Sequence, residues 1–241
     1  MATAKRRAAL ALICVAVMLL GGCGTLDDML NLDSAWTPQE SDAISIASDG
    51  SVTEIVQETL DQSYYDLTEL EEMINAEVDA YNAENGEDSI TVKSFTNDGS
   101  TVTLKLLYSS AEDYAAFNNV EFFCGSIISA QLEGYLFDTN FYRIEDGEIS
   151  GGEVSYSAVF SDMSAEVVIV QAPMEVHVEG ESVTYISSNA EMISADTVNA
   201  TGDQEEEEGL VLPSSKVYGG EEETYAEQKL ANRVYIIYGD S

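Results

Sequence analysis

Apolar side chains occupy every second position in Val102–Tyr108, directly after the turn triplet Asn97-Asp98-Gly99. The other side of the turn also holds a spaced apolar set, namely Ile90, Val92 and Phe95. A period of two is typical of a strand that buries one face, and Asn-Asp-Gly tolerates the positive φ angles of tight hairpin turns. The pattern therefore predicts an antiparallel hairpin and commits the chain to a sheet whose apolar face must be covered.

The same kind of pattern recurs before and after this hairpin. Ile44 and Ile46 alternate with polar residues before Asp49-Gly50, and Val52–Gln57 is expected to return as the partner strand. Further strands are predicted for Val120–Cys124, Phe137–Glu145, Glu166–Val170, Glu175–Val178, Ser182–Ile186 and Ile193–Asn199. The short spacing of the later runs favours a meander, and Val234–Tyr238 should add a closing strand.

One long helix is predicted between the two hairpins. Asp66 and Glu69 form a start that resembles a capping box, and Asn85-Gly86 forms a C-terminal stop. Apolar residues recur between them every three or four positions: Leu67, Leu70, Ile74, Val78 and Tyr81. This stripe is expected to lie on a sheet, with a partner-binding helix as the alternative.

Shorter helices are predicted after the capping residues Ser110 and Ser126, and over Tyr225–Asn232. Val154–Phe160 suits a helix or a strand. Together the elements predict an α+β fold, a single domain with a mostly antiparallel sheet whose hairpins pack against one long and two or three short helices. The domain is expected to span residues 43–241, after a leader at 1–22 and a flexible tether at 23–42.

The leader has the layout of a secretory signal peptide. Three cations at positions 5–7 precede Ala8–Leu20, an apolar run of 13 residues, which is shorter than the ~20 residues that span a bilayer. Leu20-Gly21-Gly22-Cys23 follows, and it resembles the lipobox of bacterial lipoproteins. The resemblance implies cleavage before Cys23, a thioether-linked diacylglycerol and palmitate-type acyl chains there, and membrane lipid as a partner. An ordinary signal peptide whose cleavage site lies beside a cysteine is the plainer alternative.

Charge limits the partners of the exported chain. The leader carries three of the nine basic residues and none of the 45 acidic ones, so six basic and 45 acidic side chains remain, with a formal charge of −39. No basic stripe is left to bind nucleic acid or to lie on an anionic membrane surface. Seven glutamates in an acidic loop at about 202–223 favour an extended, solvated insertion. Weak, delocalised Ca²⁺ binding by Glu205–Glu208 stays open as a charge effect.

The sequence contains no recognisable catalytic or cofactor motif. Cys14 leaves with the leader and Cys23 carries lipid, so Cys124 is single and no intramolecular disulfide is expected. Cys124 is interpreted as a small buried apolar residue, and His177 as a solvated strand residue on the same face as Glu175. A Cys124–His177 dyad is the sharper alternative. One cysteine and one histidine are too few for zinc, and phosphate-binding glycine loops do not occur, so neither a metal nor a cofactor is predicted.

The lipobox and three further segments together resemble uncharacterised lipoproteins of Gram-positive gut bacteria of the clostridial group: SYYDLTELEEMINAEVDAYN, FNNVEFFCGS and the terminal RVYIIY. The resemblance implies a location, the outer face of the cytoplasmic membrane, and it implies no activity or site residues. The leading prediction is a membrane-anchored, non-enzymatic surface lipoprotein that binds an envelope component or extracellular ligand. A carboxylate-dependent hydrolase of cell-wall polymer or glycan is one alternative, although the sequence does not select two acids among 45. An extracytoplasmic folding or assembly factor with an exposed apolar groove is the other.

Overall fold

Two β-sheets and four helices make up most of the described chain. The computed structural model describes residues 36–40, 42–60, 66–99, 101–161, 163, 165–200, 211–216, 225–229 and 233–239, with 211–216 and 225–229 described by their backbone. In chain order the strands are β1 (Asp42–Ile46), β2 (Val52–Thr59), β3 (Ile90–Asn97), β4 (Thr101–Tyr108), β5 (Phe122–Ser126), β6 (Asn140–Glu145), β7 (Glu148–Ile149), β8 (Val154–Ser155), β9 (Glu166–Val170), β10 (Glu175–Val178), β11 (Val183–Ser187), β12 (Glu191–Ser194), β13 (Thr197–Asn199), β14 (Val211–Lys216), β15 (Tyr225–Lys229) and β16 (Val234–Tyr238). The helices are α1 (Leu67–Asn85), α2 (Ala111–Asn118), α3 (Ile127–Leu132) and α4 (Tyr156–Val159). The predicted α+β class, with mostly antiparallel strands and one long helix among short ones, is confirmed.

Fourteen of the sixteen described strands divide between two sheets, and β14 and β15 form a separate two-stranded sheet. Sheet A has the order β12-β13-β10-β1-β2-β4-β3 and is antiparallel except between β1 and β10. Sheet B has the order β5-β9-β16-β11-β6-β7, with β8 paired to β6, and its pairs are antiparallel. Because β9, β10, β11 and β12 alternate between the sheets, the predicted meander is wrong. A nearly continuous apolar run such as β9 is stable only where both of its faces are covered, which a single meander does not provide.

The two sheets enclose a shared core. Ile44 and Leu106 of sheet A belong to the same apolar cluster as Val168 and Ile236 of sheet B. The opposite face of sheet B, which includes Val167, packs with α3 and α4 in a second apolar cluster. Both faces of sheet B are therefore buried, in agreement with the unbroken apolar sequence of β9.

Both predicted hairpins and the long helix are confirmed. Asp49-Gly50 turns the chain from β1 to β2, and Asn97–Gly99 turns it from β3 to β4. The Asp66 carboxylate caps α1 by accepting hydrogen bonds from two backbone N–H groups of the first turn, at 3.0 and 3.2 Å. Gly86 ends the helix with a φ of 136°, a conformation that side chains disfavour.

Strand β3 contains a bulge that sets which side chains face α1. The pairing with β4 shifts by one residue between Val92 and Ser94, which leaves Lys93 without an opposite residue. One extra residue reverses the alternation, so Phe95 lies on the same face as Val92. The sequence predicts that both residues precede the turn, but not that they share a face.

The remaining helix predictions have mixed outcomes. Ser110 and Ser126 cap α2 and α3, as predicted, each accepting a backbone N–H bond at 3.1 and 3.2 Å respectively. Val154–Phe160 is strand β8 followed by α4. The helix predicted for Tyr225–Asn232 is wrong, because β15 pairs there with β14. A segment this short is marginal as a helix, whereas the hairpin gives its backbone groups partners.

Several predicted features lie outside the described residues. These are the leader, Cys23, the tether before Trp36, and the acidic loop apart from β14. None of the helices in the described ranges is long and apolar enough to cross a bilayer.

Candidate functional site

A groove lies between the first half of α1 and the strands of sheet A beneath it. The second half of the helix is fixed to β3, because the Asn82 side chain donates to the Ile90 carbonyl at 2.8 Å and accepts from its N–H at 2.9 Å. Ile74 and Val78 are the buried side chains of α1, whereas Leu70 is only partly buried. The helix is therefore held closely at one end and less closely at the other.

The walls of the groove are almost entirely apolar. They are formed by Val56, Leu60, Leu70, Ile74, Phe95, Val102, Leu104 and Leu106. Its polar members are Glu54, Glu58 and Asn118, and no Lys, Arg or His occurs among the described residues that line it. The enclosed volume is about 60 Å³. A drug-sized ligand site usually offers ~300–1,000 Å³, so this groove suits only a slender group.

Strand register brings three acids to this otherwise apolar face. Asp42 of β1 lies directly opposite Val56 of β2. Glu54 and Glu58 are two residues before and after Val56, so both are diagonal neighbours of Asp42, with Cα atoms roughly 7–8 Å away. Alternation puts all three on the face that carries Ile44.

Glu54 is the most strongly held of these acids. Tyr108 donates its hydroxyl to Glu54 Oε2 at 2.5 Å, and the Asn118 side chain donates to the Tyr108 oxygen at 3.1 Å. Burial raises the pKa of Glu54 to about 7; the Tyr108 hydrogen bond opposes this, and the charge of Asp42 adds to it. The group therefore titrates near neutrality.

Glu58 has a different environment. Its Oε2 atom is buried and has no hydrogen-bond partner among the described residues. Burial, and then the charge of Asp42, raise the pKa of Glu58 to about 7. The pKa of Asp42 is also raised by burial. Two carboxyl groups of one groove thus share a pKa near neutrality, and one of them presents an unpaired oxygen.

These acids do not form a metal centre. The described part of the chain contains no group of three or more His, Cys, Asp or Glu side chains placed to hold a metal ion. The proposed weak calcium ligands Glu205–Glu208 lie outside the described residues.

A larger cleft of about 940 Å³ opens at one end of sheet B. Arg143 and Glu145 form an ion pair at its rim, 3.3 Å apart, with more than half of each side chain exposed. Burial raises the pKa of Glu166 and of Tyr238 in the same cleft. Neither carboxyl group with a pKa near 7 lines this cleft, so the largest space and the most perturbed acids do not coincide. Acids with raised pKa values in an apolar groove, one of them with a buried unpaired oxygen, indicate a candidate site, so we place it beneath α1.

The lone histidine lies outside both cavities. His177 is only 7% exposed, and its ring stacks on the Trp36 indole with centroids 4.8 Å apart and planes 8° from parallel. Its Nδ1 lies 3.1 Å from Thr197 Oγ1 and 3.7 Å from the Asp196 carboxylate. Burial lowers the pKa of His177, and the Asp196 charge opposes that shift. The interpretation of a solvated histidine is wrong, because Trp36 covers this face of sheet A.

Glu175 holds the same segment of chain. Its carboxylate accepts hydrogen bonds from Trp36 Nε1 at 3.1 Å and from the backbone N–H groups of Gln39 and Glu40 at 2.7 and 3.1 Å. We call Trp36, Glu175 and His177 the clasp. It fixes the chain that enters β1 to the face of sheet A that is turned away from sheet B.

Cys124 does not pair with the histidine. Its Sγ lies 3.3 Å from the Tyr238 hydroxyl, in β5, and packs against the core between the sheets. His177 points from the outer face of sheet A, opposite Val176. The dyad alternative is therefore wrong. Burial raises the pKa of Cys124, in keeping with its interpretation as a small apolar residue.

The acids of the groove were not singled out from the sequence, although a signal exists. Glu54 and Glu58 share the parity of Val52 and Val56 within β2, so alternation places them on the apolar face. An acidic side chain in a strand is ordinarily expected to face solvent, so the shared parity with Val52 and Val56 was not interpreted as burial of the two acids.

Comparison with protein-family models, with curated proteins and with solved structures finds no match to this chain.

Proposed function

We propose that the chain is an exported lipoprotein, anchored through lipid on Cys23 at the outer face of the cytoplasmic membrane, and that its domain binds a small envelope or extracellular ligand without catalysing a reaction. The lipobox resemblance supports the anchor. The groove beneath α1 supports binding.

The groove favours binding because its walls are apolar yet incompletely covered. Val56, Leu70 and Phe95 are each only partly buried. Covering such side chains with a ligand is worth roughly 25 cal/mol for each Å² of apolar surface removed from water.

Binding is tested with 1-pentanol, a neutral probe small enough for the groove, by isothermal titration calorimetry on the soluble Cys23→Ala chain. Val56→Phe fills the groove and should weaken the affinity at least tenfold, whereas Leu132→Phe, at a side chain 84% exposed on α3, should leave it unchanged. Circular dichroism checks that the variants fold, and Leu60→Phe serves as a second filling variant. Equal affinities in all of these chains would contradict a binding role for the groove.

The anchor is tested by fractionation of the producing cell. Cys23→Ala should move the protein from the membrane fraction to the medium, because the proposed lipid is its only attachment. Retention of the variant in the membrane would contradict lipid anchoring.

A carboxylate-dependent hydrolase of wall polymer or glycan is the second candidate, and the near-neutral pKa of Glu54 and of Glu58 favours it. The volume of about 60 Å³ argues against it, because a sugar ring does not fit without opening of the groove. Release of soluble glycan from purified cell wall, abolished by Glu54→Gln or Glu58→Gln, would establish hydrolysis. We expect no release.

A further inference from the structure

The acidic side chains of the groove beneath α1 have no cationic partner among the described residues that line it. Glu58 Oε2 is buried without a partner, and Asp42 is a diagonal neighbour of Glu58 on the same face of sheet A. No basic side chain is among the described residues that line the groove. Ionised carboxylates in such a place lose hydration and repel one another unless a cation joins them.

We propose that the groove binds a slender aliphatic ammonium ion, with its alkyl chain along the apolar walls and its ammonium group on Glu58. This inference rests on the proposed binding function and names its ligand class. The ammonium group donates up to three hydrogen bonds, so it supplies the missing partner of Glu58 Oε2 and still reaches a second carboxylate.

The dimensions of the groove select this class. A buried water needs ~10–15 Å³ of such space, so a volume of about 60 Å³ admits roughly four to six water-sized groups. An alkyl chain of four or five carbons matches that volume and the apolar walls. A sugar ring or an aromatic bicycle exceeds it.

The donor set argues against a metal ion as the occupant. Calcium takes six to eight oxygen ligands around one point. The described residues offer no group of three acidic or histidine side chains placed to hold a metal. An ammonium ion needs only one or two carboxylates, and it brings an alkyl chain that apolar walls favour.

The charge of the whole chain assists the capture of cations. With a formal charge of −39 beyond the leader, the protein raises the local concentration of cations at its surface, and this effect weakens with added salt. A carboxylate ligand of the same length is disfavoured for the same reason.

Proton linkage gives the proposal a specific signature. The ammonium ion requires Glu58 in its ionised form, whereas a neutral alcohol is compatible with the protonated form. With a pKa near 7, the ionised fraction of Glu58 rises about tenfold between pH 6 and pH 8. The affinity for an amine should therefore rise with pH over this interval, and the affinity for an alcohol should not.

The experiment compares n-pentylamine, 1-pentanol and pentanoate by isothermal titration calorimetry on the soluble Cys23→Ala chain at pH 6 and pH 8. We expect pentylamine to bind best and about tenfold more tightly at pH 8, with proton release detected as a dependence of the heat on the buffer. Glu58→Gln should weaken the affinity for pentylamine at least tenfold and abolish its pH dependence. The affinity of this variant for pentanol should be unchanged. Glu71→Gln, an equal charge change on the exposed side of α1, should have no effect.

Two results would overturn the proposal, and they have different consequences for the proposed binding function. Equal binding of pentylamine and pentanol, unaltered by Glu58→Gln, would remove the amine preference and leave the proposed binding function standing. Absence of binding by all three probes would remove both the amine preference and the proposed binding function. Glu58→Met, which also removes the carboxylate, repeats the test if Glu58→Gln fails to fold.

Discussion

The Glu54 carboxyl group lies between Ile44 and Leu106 on the apolar face of sheet A, where Tyr108 donates its hydroxyl to it. A carboxyl group in this environment keeps its proton to a higher pH than it does in the unfolded chain. Its pKa of about 7 stands against an ordinary value of 4.5. Between these values the folded chain holds a proton that the unfolded chain releases, so the free energy of unfolding falls as pH rises through this window.

Replacing Glu54 with Gln should remove this dependence. The amide oxygen still accepts the Tyr108 hydroxyl, and no charge forms at high pH. We expect Glu54→Gln to raise the free energy of unfolding by about 1–3 kcal/mol at pH 8 and by little at pH 4.5. Urea unfolding at both pH values measures it, with the exposed Glu71→Gln as control. A variant that is destabilised equally at both pH values would contradict the assigned pKa.

The clasp also depends on single side chains. Glu175, only 1% exposed, accepts three N–H groups from the Trp36–Glu40 segment. Glu175→Ala should release Trp36 from His177 and cost about 1–3 kcal/mol of stability, because charge-assisted hydrogen bonds are lost. Trp36 is the single tryptophan, so its emission should shift to longer wavelength.

The control for the clasp is Glu191→Ala, which removes an exposed acid from β12 in the same sheet. It should leave the emission and the urea midpoint unchanged. An unshifted emission in Glu175→Ala would show that the contact with Trp36 does not depend on this carboxylate.

At the scale of an element, the register of β3 decides whether Phe95 lines the groove. Deleting Lys93 makes the pairing with β4 regular and leaves Phe95 opposite Leu104, whereas deleting Lys93 together with Ser94 places Phe95 opposite Lys105 on the other face. We expect the single deletion to change the free energy of unfolding by no more than about 0.5 kcal/mol. The double deletion should lower it by about 1–3 kcal/mol, because a partly buried phenylalanine leaves the apolar face. Urea unfolding checks this.

Lys93→Ala keeps the bulge and removes only an exposed side chain, so it should change stability by no more than about 0.5 kcal/mol. If the double deletion were no more destabilising than Lys93→Ala, the face on which Phe95 lies would not affect stability.

Elements that depend on local pattern could be predicted from the sequence. Alternation, caps and turn residues lie within a few positions of one another, which is why the β1–β2 and β3–β4 hairpins and α1 were found. The helix predicted for Tyr225–Asn232 was wrong because the pairing partner of this segment, β14, lies on the other side of the acidic segment. Local propensity did not contain that information.

At the scale of the molecule, the division into two sheets was not predictable in this way. Neighbouring apolar runs such as β9, β10 and β11 have similar patterns, and only long-range pairing assigns them to different sheets. The candidate site also depends on long-range pairing, so it could not be predicted in full from the sequence. Glu54 and Glu58 could be placed on the apolar face from alternation, but their nearness to Asp42 depends on pairing between strands, and the groove depends on the position of α1.

The last described strand determines whether sheet B exists as one unit. β16 is buried throughout and lies between β9 and β11, with Ile236 opposite Val168 on one side and Ile186 on the other. Without it, β5-β9 and β11-β6-β7 have no shared edge. The core between the sheets would also lose one of its central members.

A chain that ends at residue 232 should therefore show no cooperative urea transition, whereas a chain that ends at Gly239 should unfold like the full chain. The graded version is Ile236→Ala, which should cost about 2–5 kcal/mol because it leaves a cavity at a fully buried position. Leu132→Ala, at an exposed position, should stay within about 0.5 kcal/mol of the parent.

A cooperative transition in the shortest chain would mean that sheet B closes by another pairing, with β9 directly against β11. Because all of these pairs are antiparallel, inserting or removing one strand reverses the required direction of its neighbour, so that direct closure would have to be parallel. Sheet B therefore cannot keep its antiparallel order without β16.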